Sequence, residues 1–143
     1  MVIKMINTDE LKLVKNEKKY WSFIRKLRNE KSYANNFGDQ HCIKKSEHEL
    51  YMKKYGDDYY VCLYKNKPVG WVGKVCNDIR ICTHKDYQRV GIGIFMLKNF
   101  IKVTNNINEC YAKIKLHNMD SLKLFLNSGF TITNYYLEYK NEK

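Results

Sequence analysis

The chain has 143 residues and a mass of 17.2 kDa, so we expect residues 1–143 to form a single domain. Hydrophobic residues make up 44% and aromatic residues 14%, which excludes a disordered chain, and a single proline with seven glycines excludes a collagen-like one. No apolar run is long enough to span a membrane, and the first residues do not have the pattern of a secretory signal. We therefore expect a cytoplasmic protein with no membrane partner.

The net charge is strongly positive. Lysine and arginine together number 26 against 15 acidic residues, which gives +11 at neutral pH. This balance favours anionic partners such as nucleotides, phosphates or nucleic acid. Only four of the basic residues are arginines, the residue type that reads base edges and grips phosphate with two hydrogen bonds. We therefore expect a solvated lysine-rich surface rather than a dedicated nucleic-acid interface.

The cysteines do not indicate a metal site. Their number is odd and no two have C-x-x-C spacing: Cys42, Cys62, Cys76, Cys82 and Cys110. No pair of histidines has ligand spacing either, so no zinc site is expected. Four of the five fall in strand-like runs, where a reduced, buried thiol is usual.

The first half of the chain predicts two short strands and two helices. The strands are expected over 2–6 and 11–15, and an apolar stripe of helical spacing predicts a helix over 17–30. A polar stretch follows. A second helix is predicted to begin at an N-cap, Ser46, with Glu49 completing a capping box, and to end near Tyr55.

The second half predicts a hairpin followed by alternating strands and helices. The expected strands cover 59–64, 69–76, 78–83, 109–116 and 130–139, and the expected helices cover 91–103 and 118–128. Gly129 is placed to end the last helix as a left-handed C′ residue. The order of elements predicts an α/β fold with a mixed sheet and helices between its strands.

A glycine-containing turn joins the strand over 78–83 to the next helix. Its sequence from Gln88 to Gly93 is Q-R-V-G-I-G. Glycines at such a turn let backbone approach an anion, and the free N–H groups of a helix start bind phosphate, so the segment predicts a phosphate or pyrophosphate cradle. Ile94 and Met96 stand where the Walker and dinucleotide motifs require Lys and Gly. Two incidental glycines in a tight turn are the alternative interpretation.

A second pattern lies downstream, with Asn118, Ser121, Leu124, Phe125 and Gly129-Phe130 in order. Together the two patterns resemble those of the GNAT superfamily of N-acetyltransferases, "Q/R-x-x-G-x-G/A" after a strand and "N-x-x-S/A-x-x-L-Y-x-x-x-G-F" beyond it. The resemblance covers residues 58–139 and extends to the first 57 only in layout. It implies a mixed, mostly antiparallel sheet with flanking helices and a splayed central pair of strands.

The resemblance also implies acetyl-CoA as co-substrate and no metal. In the family, backbone N–H groups of the glycine loop hold the CoA pyrophosphate, and the strand before the loop contacts pantetheine. The resemblance therefore assigns acetyl-CoA binding to Ile81, Cys82, Thr83, Gln88, Arg89, Val90, Gly91, Ile92, Gly93, Ile94, Asn118 and Ser121.

Acetyl transfer to an amine needs a neutral amine, a polarised thioester carbonyl and a proton for the leaving thiolate. By position, Asp78 is the candidate base and His117 a candidate proton shuttle, and a backbone N–H near Cys82 would polarise the carbonyl. Members of the family usually donate the proton from a tyrosine, but the matching residue here is Phe125. Phenylalanine has no hydroxyl, so this position does not supply the proton donor.

For the acceptor, Leu27-Arg28-Asn29 followed by Ile43 and His48 is similar to the layout in family members that acetylate nucleotide-linked amino sugars. We therefore expect a small-molecule amine, with a nucleotide-linked amino sugar first. The positive charge disfavours polyamines and aminoglycosides. The alternatives are a protein or peptide amine, aminoacyl-tRNA, or a non-catalytic module that binds polyanions such as RNA. The chain is expected to be a monomer or a homodimer.

Overall fold

The computed structural model describes residues 6–30 and 41–141, which contain four strands and four helices. The strands are β1 (Leu11–Lys15), β2 (Tyr59–Tyr64), β3 (Lys67–Val75) and β4 (Asp78–Thr83). The helices are α1 (Trp21–Arg28), α2 (Lys45–Tyr55), α3 (Ile92–Val103) and α4 (Met119–Asn127). Most of the strand expected over 2–6 lies outside the described residues.

The four strands form one antiparallel sheet in the order β1-β2-β3-β4. A two-residue turn, Lys65-Asn66, joins β2 to β3, and both residues have positive φ angles, 49° and 65°. That geometry matches the twist of a hairpin. Strand β3 therefore begins at Lys67, two residues before the predicted start.

Each face of the sheet is covered by a different pair of helices. On one face α3 contributes four buried side chains, Ile92, Met96, Leu97 and Phe100, and α4 contributes Phe125. On the other face Ile24 and Leu27 of α1 and Met52 of α2 pack over Trp71. Neighbouring residues of one strand therefore contribute to two separate cores, because successive side chains of a strand point to opposite faces.

The start of α2 differs from the prediction. The helix begins at Lys45, with Lys44 as N-cap, and the Glu47 carboxylate accepts the Lys44 N–H at 3.4 Å. The predicted cap at Ser46 with Glu49 is therefore wrong. Both candidates have a glutamate three residues on, but Lys44 has no side-chain acceptor, so only the glutamate half of a capping box forms at the earlier register.

The strands predicted over 109–116 and 130–139 are also wrong. One parallel bridge joins Asp78 to Tyr111, with the Ile79 N–H donating to the Tyr111 carbonyl at 2.8 Å. Beyond that bridge the structure assigns no strand to either segment, and residues 131–139 are exposed. Alternating apolar residues indicate only which side chains favour burial. A β-strand also needs a neighbouring strand with which its backbone can form hydrogen bonds.

The end of α4 follows the prediction. Gly129 has a φ angle of 98°, the Phe130 N–H donates to the Phe125 carbonyl at 3.1 Å, and the Gly129 N–H donates to the Leu126 carbonyl at 3.4 Å. This pair of hydrogen bonds is the Schellman motif. The fold class is confirmed as mixed α/β, with a mostly antiparallel sheet between helices.

We predict that Gly73→Ala destabilises the fold. A Cβ atom at Gly73 would lie 2.5 Å from the Tyr59 ring, which packs across β3, so the substitution should lower the free energy of unfolding by about 1–3 kcal/mol. Urea denaturation measures this. The matched control is Gly56→Ala, whose Cβ would meet the Asn16 amide nitrogen at 3.2 Å, a milder contact that should cost less stability than Gly73→Ala. Equal effects from the two substitutions would contradict the prediction.

Candidate active site

A cavity of about 890 Å³ opens where β4 parts from the chain segment that follows α3. Its walls are Ile79–Thr83 of β4, residues 112–114, the loop before α3 and the first turns of α4. Beyond the bridge at Tyr111, these two backbone segments are separated by the cavity rather than joined by a ladder. The opening stands where the resemblance implies a splayed pair of strands, although only β4 of the two segments is a strand in this structure.

The backbone of β4 directs alternate N–H groups toward this opening. The Ile79 N–H donates across it to Tyr111, whereas the His84 N–H donates to Val69 on the β3 side. The register between β3 and β4 has no bulge, so the N–H groups of Ile81 and Thr83 face the opening and that of Cys82 faces β3. The N–H expected near Cys82 to polarise the carbonyl would therefore belong to Ile81 or Thr83, because that of Cys82 itself faces β3.

The start of α3 has the backbone shape that the glycine turn predicts. Gly91 is the N-cap and has a φ angle of 95°, which L side chains rarely adopt. Gly93 has a different role, because a Cβ there would lie 3.3 Å from Leu124 of α4, so its small size lets the two helices approach. The first N–H groups of a helix have no partner within it and attract anions.

Polar contacts connect the loop to its neighbours. The Gln88 side chain donates to the Thr83 carbonyl at 3.4 Å, and Arg89 lies 3.5 Å from the Asp120 carboxylate. Both contacts are exposed and contribute little stability. At the start of α4, the Asn118 side chain accepts the Ser121 N–H at 3.2 Å, so these two residues form the N-cap of that helix.

Most residues assigned to acetyl-CoA lie around this cavity. Ten of them line it: Ile81, Cys82, Thr83, Gln88, Arg89, Gly91, Gly93, Ile94, Asn118 and Ser121. Val90 is half-buried and Ile92 fully buried, and both side chains pack in the core beside α3. These two residues can therefore offer a ligand only their backbone.

The candidate catalytic residues are placed differently from one another. Asp78 lines the cavity, with its carboxylate 3.6 Å from the Arg80 guanidinium. His117 is exposed and is not among the described residues that line the cavity, although its neighbour Asn118 is. Phe125 lines the cavity and packs edge-on against Phe130, with 5.0 Å between ring centroids, so no hydroxyl stands at that position.

Of the basic residues of the cavity, the sequence analysis assigned only Arg89 to acetyl-CoA and named Arg28 only within the acceptor layout. Six cationic side chains line the cavity, Arg28, Arg80, Lys85, Arg89, Lys113 and Lys123, against the two carboxylates of Asp78 and Asp120. Each carboxylate already lies beside an arginine. Residues two apart in a strand share a face, so the spacing of Asp78 and Arg80 could have indicated that Arg80 lines the same site. Arg28 comes from α1, which is distant in sequence, and no local pattern places it beside β4.

Arg80 belongs to a polar network on the α1–α2 side of the sheet. The hydroxyls of Tyr51 and Tyr59 are 2.6 Å apart, and an Arg80 nitrogen donates to the Tyr51 oxygen at 3.5 Å. Burial raises the pKa of both tyrosines, so both are neutral near pH 7. Burial acts to lower the pKa of Arg80, but Tyr51, Tyr59 and Asp78 outweigh it and keep the guanidinium charged.

Neither a metal cluster nor a membrane span is found in residues 6–30 and 41–141. No three His, Cys, Asp or Glu side chains group there in a way that could hold a metal ion. No helix in this part of the chain combines the length and the apolar character that crossing a membrane requires.

The sequence profile of the "Acetyltransferase (GNAT) family" matches residues 20–130, and the chain therefore belongs to this family of acetyl-CoA-dependent N-acetyltransferases. The resemblance is thus confirmed over more than half of the chain. A search of curated proteins finds no match.

Solved structures share the fold at low sequence identity. A spermidine N-acetyltransferase from Vibrio cholerae, in complex with CoA and spermine, is 16% identical with a TM-score of 0.77, over 92% of this chain and 86% of that one. A GNAT acetyltransferase from Streptococcus pneumoniae is 17% identical with a TM-score of 0.68, over 87% of each chain. The aminoglycoside N-acetyltransferase AAC(6′)-Iy, in complex with CoA, is 12% identical with a TM-score of 0.67, over 99% of each chain.

We predict that the cysteines divide into reactive and protected groups. Burial raises the pKa of the Cys62 and Cys82 thiols to about 12, whereas Cys42 and Cys76 are exposed. The thiolate is the reactive form. Iodoacetamide at mildly alkaline pH should therefore label Cys42 and Cys76 and leave Cys62 and Cys82 unlabelled. Peptide mass spectrometry locates the labels, and labelling in urea, which should reach all five, is the control. Rapid labelling of Cys82 in the native protein would contradict its burial.

Proposed function

We propose that the protein transfers the acetyl group of acetyl-CoA directly to the primary amine of a small acceptor that carries negative charge, with a nucleotide-linked amino sugar as the best candidate. The observation that carries the acceptor class is the pair of cationic side chains on the α1–α2 side of the cavity, Arg28 and Arg80, which stand there apart from Arg89 at the glycine turn. A polycationic amine would be repelled from such a cavity.

The residues of the cavity fit acetyl-CoA as co-substrate. The turn at Gly91 offers helix N–H groups to a pyrophosphate, and Arg89 adds positive charge beside them. The extended pantetheine arm carries amides, and the N–H groups of Ile81 and Thr83 face the opening in the direction of a further strand. We therefore assign pyrophosphate binding to the start of α3 and pantetheine binding to β4.

In the proposed reaction the neutral amine attacks the thioester carbonyl carbon, the new C–N bond forms and the C–S bond breaks. The nitrogen loses one proton and the departing CoA thiolate gains one. Asp78, which lines the cavity, is the proposed base, with His117 as a second candidate nearer the solvent. A backbone N–H of β4, from Ile81 or Thr83, would stabilise the developing oxyanion. Phe125 cannot donate the final proton.

The acceptor is proposed to bind on the α1–α2 side of β4, beside Arg28 and Arg80. Arg28 is the member of Leu27-Arg28-Asn29 that lines the cavity, whereas Leu27 is buried in the core. Asn29 makes two hydrogen bonds of 2.8 Å with the backbone of Ile43. The layout that suggested a nucleotide-linked acceptor thus combines one cavity residue with two residues that fix its surroundings.

We predict that the protein consumes acetyl-CoA with an anionic amine. The assay combines acetyl-CoA with nucleotide-linked amino sugars, free amino sugars, peptides, polyamines and aminoacyl-tRNA, and detects CoA and products by chromatography and mass spectrometry. Asp78→Asn should lower kcat about a hundredfold or more if Asp78 is the base, and His117→Ala should change it less. Acetyl-CoA binding without turnover on any amine, together with salt-dependent RNA binding, would instead indicate a non-catalytic module.

We also predict that Arg28→Gln and Arg80→Gln raise the KM for the acceptor about tenfold or more, because each removes a charged hydrogen-bond donor from the proposed acceptor side. The affinity for acetyl-CoA, measured by calorimetry, should change little. Lys26→Gln is the matched control, since Lys26 lies on the same helix, is exposed and does not line this cavity. If both arginine variants retain the acceptor KM, the proposed acceptor class is wrong even when acetyl transfer itself is observed.

A further inference from the structure

A second cavity, of about 190 Å³, lies between α1 and α2. It is far larger than the roughly 10–15 Å³ that one water molecule requires. Its lining includes Lys18, Trp21 and Arg25 from the region of α1, and Lys45, His48 and Glu49 from α2. None of these six residues lines the large cavity at β4, so the proposed acetyl transfer makes no use of them.

The charges around this second cavity are unbalanced. Lys18, Arg25 and Lys45 are cationic and Glu49 is the one carboxylate among the residues that line it. In the described part of the chain, no ion pair joins any of the three cations to a carboxylate. Three positive side chains therefore meet a small volume that contains one negative side chain.

His48 is a buried titratable group in the wall of this cavity. The residue is only 4% exposed, and its Nε2 atom is sealed from solvent with no hydrogen-bond partner among the described residues. A ligand in the cavity therefore does not reach Nε2, and the ring senses such a ligand only through its charge. Burial lowers the pKa of His48 and Arg25 lowers it further, while the Trp21 backbone and Glu49 act in the opposite direction. Tyr51 stacks at 6.3 Å on the same helix.

We propose that this cavity binds a phosphate group, either free or as a phosphomonoester of a small molecule. Phosphate oxygens accept hydrogen bonds from Lys18, Arg25 and Lys45, and a group with a charge near −2 balances the excess of cations. His48 lines the same cavity, so a bound anion would lie close to its ring and favour the charged imidazolium. The indole of Trp21 forms an apolar wall suited to the carbon part of a phosphomonoester.

The test is an NMR titration of the histidine ring signals in the full-length protein. Inorganic phosphate, sulfate and glucose 6-phosphate are added separately at constant ionic strength, and His48→Gln identifies the His48 signal. Phosphate should raise the pKa of His48 in a saturable manner, because an anion beside the ring favours its charged form. Saturation at lower concentration with glucose 6-phosphate than with phosphate would identify a phosphomonoester as the ligand, and the reverse would identify free phosphate.

Two variants separate this cavity from the proposed acetyl-CoA site. Arg25→Gln with Lys45→Gln should weaken the effect of phosphate on His48 about tenfold or more, since two charged donors are lost. Arg89→Gln, beside α3, should leave that effect unchanged, although phosphate also binds there if the start of α3 is an anion site. The proposal is overturned if the pKa of His48 stays constant, or if sulfate and phosphate shift it alike without saturation, the mark of an adventitious ion only. Neither result depends on acetyl transfer.

Discussion

A single parallel bridge between Asp78 and Tyr111 determines where this fold can receive a ligand. The bridge fixes the distance between β4 and the next chain segment at one end, and beyond it the two diverge around the large cavity. Had the ladder continued, the N–H groups of Ile81 and Thr83 would pair with a strand. The glycine turn, the start of α3 and the cap of α4 all surround the space that this divergence creates.

Successive side chains of β4 point to opposite faces of the sheet, and the two faces have different surroundings. Ile79 and Ile81 join the apolar core beneath α3, whereas Asp78, Arg80 and Cys82 face α1 and α2. Arg80 is held between the Asp78 carboxylate and the Tyr51 hydroxyl, so its charge has a fixed position beside the cavity. The neighbours of known structure include a complex with spermine, a polycation, whereas the cavity of this chain has six cationic side chains against two carboxylates. At such low identity the shared fold does not determine the substrate.

The sequence predicts well those features that depend on local backbone chemistry. The left-handed Gly91 and Gly129, the Asn118 cap and the hairpin turn all follow from residues next to one another in the chain. Features that depend on distant partners were missed. Arg80 is a cavity residue through its contacts with Asp78 and with Tyr51 of α2, and 130–139 has the alternation of a strand without a neighbour to pair with. The cap of α2 was misplaced because the N-cap is Lys44, which has no capping side chain, rather than Ser46, which has one.

The unpaired edge of β4 also affects the protein when no acetyl-CoA is bound. An edge with unpaired backbone groups is a template for other chains and promotes aggregation. Here that edge is recessed in a cavity, and a bound pantetheine arm, whose amides resemble those of a peptide, would cover it as an additional strand does. A ligand that binds only the folded state also shifts the folding equilibrium toward that state. Depletion of acetyl-CoA would then shorten the lifetime of the protein as well as stop its reaction.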